Sequence, residues 1–360
     1  MNNVLFIQKR ARRAGAQVSL SRIVNSSEIT PLHPCVLLGE EGWLDGFLTE
    51  KSIPHHISPW PSPRSLGARI GGLKKFAENT LSQLHTDGIA PIAIVANDHQ
   101  ETLPALALAK AAGGVPVAVI LRTPGMTEND FNKYRCGECD LIFARGEQLT
   151  HRASSWSGKE VACMSGSFSD EDFYPPLPKT TNFPPKILVA GSEEPRKGFS
   201  DFIEALKIVE ASEPDFPAME CVLTGDQNEE LTHLIDHGFR STFKFVGRVD
   251  KFPDFARQFQ LAIHPSRSES FGMAPLELLL AGVPTMISLT GITSSLPLSS
   301  PWVFSPESPS QIASSLMTLW KNWESHRLDL SPTQQHIRDQ YHISQTSKSL
   351  AQKITKLTSA

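Results

Sequence analysis

Ten short apolar runs, separated by stretches of helical periodicity, constrain this chain more than any other feature. VLFIQ (4–8), CVLLG (35–39), IAIVA (92–96), VPVAVIL (115–121) and DLIFA (140–144) form one series. KILVA (186–190), ECVLT (220–224), FKFV (243–246), LAIHP (261–265) and PTMIS (284–288) form a second. Continuous apolar runs of this length read as strands buried on both faces, and the intervening patterns read as helices. In FSDFIEALKIV, for example, Phe199, Phe202, Ile203, Leu206 and Val209 fall on one helical face. Alternating strand and helix implies parallel sheets with helices on both sides.

Between the two series lies FYPPLPKTTNFPPK, residues 173 to 186, in which five of fourteen residues are proline. Such a segment is a stiff linker, neither strand nor helix. A chain of 360 residues with 40% hydrophobic content has enough material for two cores. The expectation is two doubly wound α/β domains. Sheets of this kind bind ligands at the carboxyl ends of their strands, and the expected site is the cleft between the two domains.

Charge and cysteine content narrow the function. A net charge of −4 gives no global case for nucleic acid. Cys35, Cys136, Cys139, Cys163 and Cys221 are odd in number and irregularly spaced, unlike a secreted disulfide framework. Cys136-Gly-Glu-Cys139 lacks the second ligand pair that a zinc site needs, and reads better as a helix end running into DLIFA. The apolar stretch in MNNVLFIQKRARR is too short for a signal peptide, and no run approaches the ~20 residues of a membrane span. A soluble, cytoplasmic protein is expected, with the inner face of the membrane as an alternative.

SRSESFGMAPLELLLAGVPTMIS (266–288) carries the first chemistry. A loop follows the strand LAIHP, and a helix begins near Gly272, with Pro275 in its first turn and Gly282 and Pro284 at its end. The first turn leaves N–H groups on Gly272, Met273 and Ala274 in front of the positive end of the helix dipole, an arrangement suited to phosphate. Glu277, one turn in, can accept two hydrogen bonds from a vicinal diol such as ribose; Glu269 can accept from sugar hydroxyls. A helix start merely stabilised by nearby acids fits this window equally well. In VAGSEEPRKGFSDFIEAL (189–206), Arg196 and Lys197 precede a helix, where two cations would complement a diphosphate; an exposed basic turn is the plainer reading.

Together these residues resemble the retaining glycosyltransferases of family 4, glycosyl transferases group 1, which have the GT-B fold. Lys197-Gly198, LTGDQ (223–227), FVGRV (245–249) and Glu269 to Glu277 around SFGMAPLE follow the family's order and intervals. AGAQ (14–17) looks like its Gly-rich loop, and MSGSFSDEDFYP (164–175) like the segment closing the first domain. The final helix would then cross back to that domain. The resemblance thus implies an acceptor-side domain at 1–176, a nucleotide-sugar domain at 177–336, and a helix at about 337–360 packing on the first.

The implied activity is transfer of a sugar from a nucleotide diphosphate sugar, with retention, to a glycan, lipid or small-molecule acceptor, as in surface polysaccharide or glycoconjugate synthesis. Lys197, Arg196 and Glu269 would be catalytic. Gly15, Gln17, Ser192, Gly225, Gly247, Phe271, Gly272, Met273 and Glu277 would hold the donor. Cations and helix N–H groups would stabilise the leaving diphosphate, so neither a metal nor a cofactor is expected, and no D-x-D motif serves such a site.

Two departures stand out. The family's arginine after the strand glycine is Ser192 here, unless Arg196 replaces it, and Arg122 stands where many members have a histidine. Arg122 is either an anion contact or a surface arginine; Asp98 and His99 are further acceptor-side candidates. Lys9, Arg10, Arg12 and Arg13 either attract an anionic acceptor or membrane surface, or form a solvated loop. The alternatives to an active transferase are a non-catalytic sugar-nucleotide-binding subunit and a nucleotide-sugar epimerase on the same fold.

Overall fold

The computed structural model describes residues 2–62, 71–123, 125–165, 168–178, 180–236, 238–269, 271–326 and 328–359. The chain divides into two compact units, Met1–Ser169 with Gln340–Ala360, and Asp170–Asp339.

The first unit contains strands β1 (Asn2–Gln8), β2 (Pro34–Leu38), β3 (His55–Ile57), β4 (Ala90–Ala96), β5 (Val117–Leu121), β6 (Leu141–Arg145) and β7 (Val161–Met164). They form one parallel sheet in the order β3-β2-β1-β4-β5-β6-β7. Alternate residues of a strand point to opposite faces. Leu5 and Ile7 accordingly join one core and Val4 and Phe6 another. Both faces are covered, which is why these strands read as unbroken apolar runs.

The second unit contains β8 (Lys186–Val189), β9 (Glu220–Leu223), β10 (Thr242–Phe245), β11 (Ala262–His264), β12 (Thr285–Ser288) and β13 (Val303–Phe304), parallel in the order β10-β9-β8-β11-β12-β13. The helix Phe199–Ser212 buries the five apolar residues of its expected face, and at about 1.5–3 kcal/mol per fully buried large side chain this holds the helix on the sheet. The sequence reading missed β3, β7 and β13. Each lies at a sheet edge, and HHI, VACM and VF lack the continuous apolar run of four or five residues by which the other strands were read.

Among its described residues the proline-rich segment has no regular element before Lys186, where β8 begins, and it packs on the second unit. The Tyr174 and Leu177 N–H groups donate to the Leu280 and Gly282 carbonyls at 2.8 and 2.9 Å. Gly282 has φ +76°, and a Cβ there would lie 2.4 Å from the Pro175 carbonyl oxygen, so only glycine lets the helix end so close to the prolines. The helix Ile343–Thr358 packs on the first unit, where Ile343, Leu350 and Ile354 join the core containing Leu20 and Ile23. Within the segment 164–175, residues 166 and 167 lie outside the described residues.

Candidate functional site

Each sheet reverses its winding once. In the second unit the chain leaves β8 towards β9 and leaves β11 towards β12, on opposite sides. The loops after β8 and β11 therefore flank a crevice at the point where ligands of doubly wound sheets bind. Lys197 lies on the first of these loops and Glu269 on the second.

Their approach has a local cause. After β8 a short 3-10 turn, Pro195–Lys197, ends at Gly198, whose φ is +70°. A Cβ on Gly198 would lie 2.0 Å from the Pro265 carbonyl oxygen, so glycine is what brings the two loops together. Arg267 then ties them: its N–H donates to the Arg196 carbonyl at 2.7 Å, and its guanidinium donates to both oxygens of Asp201, at 2.7 and 2.8 Å. Lys197 Nζ is left 2.6 Å from Glu269 Oε1, with 15% and 10% of the two side chains exposed.

His264, the last residue of β11 and fully buried, was not singled out in the sequence. Its Nε2 lies 3.1 Å from the same Glu269 Oε1, and its Nδ1 lies 2.8 Å from the Ala190 carbonyl oxygen at the end of β8. Burial by itself would raise the Glu269 pKa. The hydrogen bond and charge of His264, followed by Lys197, outweigh it and hold the carboxyl down to about 2.

The helix Met273–Leu280 begins where expected. Gly272 stands at its N-cap with φ +92° and has no side chain to cap it. Phe271 is buried beside it, and its carbonyl accepts from the Ile292 N–H at 3.2 Å. Met273 and Glu277 are half-buried. Ser270 lies outside the described residues.

Gly225 and Gly247 form a two-residue bridge beyond β9 and β10, with N–H to carbonyl distances of 2.8 and 3.0 Å in the two directions. Both have positive φ, and a Cβ on Gly225 would lie 2.8 Å from the Ser192 Cα. Close packing of loops therefore accounts for glycine at 225. The Ser192 hydroxyl is buried at the crevice loop without a hydrogen-bond partner among the described residues. Arg196 is not brought to Lys197 and Glu269: its guanidinium is about half exposed and donates to Glu194 at 2.7 Å.

The first unit reverses its winding between β1 and β4. Gly15 opens the helix Gly15–Val24 after β1, is exposed, and has open space where a Cβ would sit. Gln17 is buried; its Nε2 donates to the Arg10 carbonyl at 3.1 Å, and its Oε1 has no partner among the described residues. Arg13 stacks on the Trp43 ring at 5.5 Å.

After β4, Asp98 accepts from the His99 N–H at 2.7 Å, and its side chain meets His99 Nδ1 at 2.7 Å. The buried His99 ring packs edge-on against Tyr134. Arg122 is half-buried and engaged within the first unit. Its Nε and Nη2 donate to the Asn97 carbonyl and side-chain oxygens at 2.8 and 2.7 Å, and its Nη1 to the Ser19 hydroxyl at 3.0 Å. Burial pushes its pKa down to about 10. It joins the loop after β4 to the Gly15 helix from inside.

Glu101 was also missed. It is buried, Oε1 accepts from the Lys9 N–H at 3.3 Å, and burial followed by the charge of Asp98 raises its pKa to about 8. Only its place in DHQE, directly after a strand, hinted at this. Cys136 and Cys139 are buried at a short turn before β6, and burial raises both thiols, Cys136 to about 12.

Among the described residues no helix is long and apolar enough to cross a membrane. Nor does any group of three or more His, Cys, Asp or Glu side chains gather as a metal ion would require.

Residues 184–322 match the family model described as Glycosyl transferases group 1. The lipopolysaccharide core biosynthesis mannosyltransferase LpsB of Rhizobium meliloti is 29% identical over 137 residues, 34% of this chain and 39% of that protein. A D-inositol 3-phosphate glycosyltransferase of Jonesia denitrificans is 28% identical over 115 residues, 29% of this chain and 27% of that protein. The matched stretch thus spans 39% or less of either relative's length. Solved structures extend the likeness to the whole chain. Anabaena Alr3699/HepE, in complex with UDP and glucose, superposes with a TM-score of 0.75 at 16% identity, covering 99% of this chain and 100% of that one. Sucrose-phosphate synthase from Thermosynechococcus elongatus does so with a TM-score of 0.71 at 14% identity, covering both chains completely. Residues 184–322 therefore resemble a glycosyl transferases group 1 domain, and the chain as a whole has the fold of these solved structures, GT-B.

Proposed function

We propose that this chain is a retaining glycosyltransferase that moves a sugar from a nucleotide diphosphate sugar to a glycan, lipid or small-molecule acceptor, without a metal ion or cofactor. The observation that carries this reading is the 2.6 Å pair of Lys197 and Glu269 across the winding reversal of the second sheet. Bond cleavage at the anomeric carbon leaves charge on the diphosphate. Lys197 and the N–H groups of the helix starting at Met273 would stabilise it, a preorganised electrostatic effect of the kind that dominates many enzyme rates. Glu269 would accept from donor sugar hydroxyls, and Glu277 from the ribose diol. A phosphate oxygen of the leaving group would take the acceptor proton. Surface polysaccharide or glycoconjugate synthesis is the setting suggested by relatives such as the lipopolysaccharide mannosyltransferase.

The experiment is product analysis with UDP-, GDP- and ADP-sugars, starting with UDP-glucose because Anabaena HepE was solved with it. A transferred sugar with unchanged anomeric configuration, formed equally in EDTA, is expected. Loss of turnover on chelation and recovery with magnesium or manganese overturns the metal-free chemistry. Ser192, and an Arg196 occupied by Glu194, favour a second reading, a subunit that binds sugar nucleotides without turning them over. Nucleotide-sugar binding with neither transfer nor epimerisation across a broad acceptor panel would establish it.

A further inference from the structure

We propose that His264 is a positioning residue that keeps Glu269 ionised and aimed at the donor sugar while Lys197 serves the diphosphate. The proposal rests on the glycosyltransferase reading above. Lys197 has one ammonium group, and it is spent on Glu269 at 2.6 Å. To meet a diphosphate it must be shared or turned away. A carboxylate only 10% exposed and stripped of its cation would face a large desolvation cost. A second cation that stays behind removes that difficulty.

His264 is built to stay. It is fully buried and sits on a strand rather than a loop, and its Nδ1 is fixed 2.8 Å from the Ala190 carbonyl. Both atoms that its ring nitrogens face, the Ala190 oxygen and Glu269 Oε1, are acceptors, so the ring donates to both only when both nitrogens carry protons. The geometry also divides the carboxylate. Lys197 and His264 both meet Oε1, and among the described residues Oε2 has no hydrogen-bond partner. Oε2 is then the atom for a sugar hydroxyl, with His264 setting its direction through the shared carboxylate plane.

The test uses His264→Leu, which removes both N–H groups, and His264→Gln, which keeps a neutral donor near the Nε2 position. Melting curves establish folding, and the Gln variant decides if Leu does not fold. Titration with the bare nucleoside diphosphate should change less than about threefold, while the extra affinity of the nucleotide sugar is lost and kcat falls at least about tenfold, partly restored in the Gln variant. Equal weakening of both ligands, or unchanged kcat and unchanged sugar affinity, overturns the proposal. A wild-type protein that binds the sugar nucleotide without transferring it defeats the transferase reading, yet the affinity split still decides the role of His264. Should it bind neither ligand, ring nitrogen NMR decides. Two N–H signals for His264, persisting in Lys197→Ala, support the arrangement; a neutral ring in either protein rejects it.

Discussion

Gly198 lies so close to Pro265 that a β-carbon on residue 198 would sit 2.0 Å from the Pro265 carbonyl oxygen. This contact joins the loop after β8 to the loop after β11, and the pairing of Lys197 with Glu269 depends on it. The adjacent strands supply the direction, and the missing side chain supplies the room.

Gly198→Ala should therefore damage stability and site together. The residue has φ +70°, and the overlap falls on backbone rather than on a flexible side-chain end. Strain at such a backbone angle and overpacking each cost about 1–3 kcal/mol. Denaturant unfolding should show a clear drop in midpoint with an unchanged slope; a wild-type midpoint would mean that the loops separate easily.

Glu277→Ala should weaken nucleoside diphosphate binding by about 1.5–3 kcal/mol, the usual worth of a hydrogen bond to a charged group. Glu277 is half-buried one turn into the helix that starts at Met273, where a diol could reach it. Calorimetric titration measures this directly, and unchanged affinity would remove Glu277 from the donor site.

Lys197→Ala and Arg196→Ala should separate. Lys197 is held in the crevice by Glu269, whereas the Arg196 guanidinium is half exposed on Glu194. Loss of Lys197 should lower kcat by about 100-fold or more, as removal of one preorganised charge-stabilising donor does elsewhere. Arg196→Ala should stay near wild type. Equal losses in steady-state kinetics would instead show that Arg196 leaves Glu194 to replace the arginine that Ser192 lacks.

Glu101→Gln should stabilise the protein at alkaline pH. The Glu101 pKa is raised to about 8 in the fold, from an ordinary value of 4.5. A raised pKa means that its contribution is fully present below pH 4.5 and is lost as pH rises through 8. Glutamine keeps an acceptor for the Lys9 N–H and never ionises. Melting temperatures of the two proteins should converge near pH 4.5 and part by pH 8.5, with the variant higher. A constant difference across that range would show that Glu101 ionises without penalty.

Much of the fold was legible from one-dimensional patterns. Phe199, Phe202, Ile203, Leu206 and Val209 announced a helix because they recur with its period, and KILVA or IAIVA announced doubly covered strands because nothing polar interrupts them. His55–Ile57 and Val161–Met164 were missed because HHI and VACM lack the continuous apolar run that marked equally short strands such as Lys186–Val189. The chemistry was partly legible as well. Lys197, Glu269, Gly272 and Glu277 were singled out from the sequence, and the structure pairs the first two and starts a helix directly after Gly272.

What the sequence could not show was which side chains meet. Lys197 and Glu269 are 72 residues apart and come together because β8 and β11 are neighbours, a fact of sheet order that no local pattern contains. His264 read as the end of a buried strand; only the Ala190 carbonyl on one side and the Glu269 carboxylate on the other give its ring a role. Arg122 could be read as an anion contact or as a surface residue, and the fold turned it inward onto Asn97 and Ser19. Local sequence determined the elements and the residue types at their ends. Strand order decided the partners, because hydrogen bonds and ion pairs act over a few ångströms of space whatever the separation along the chain.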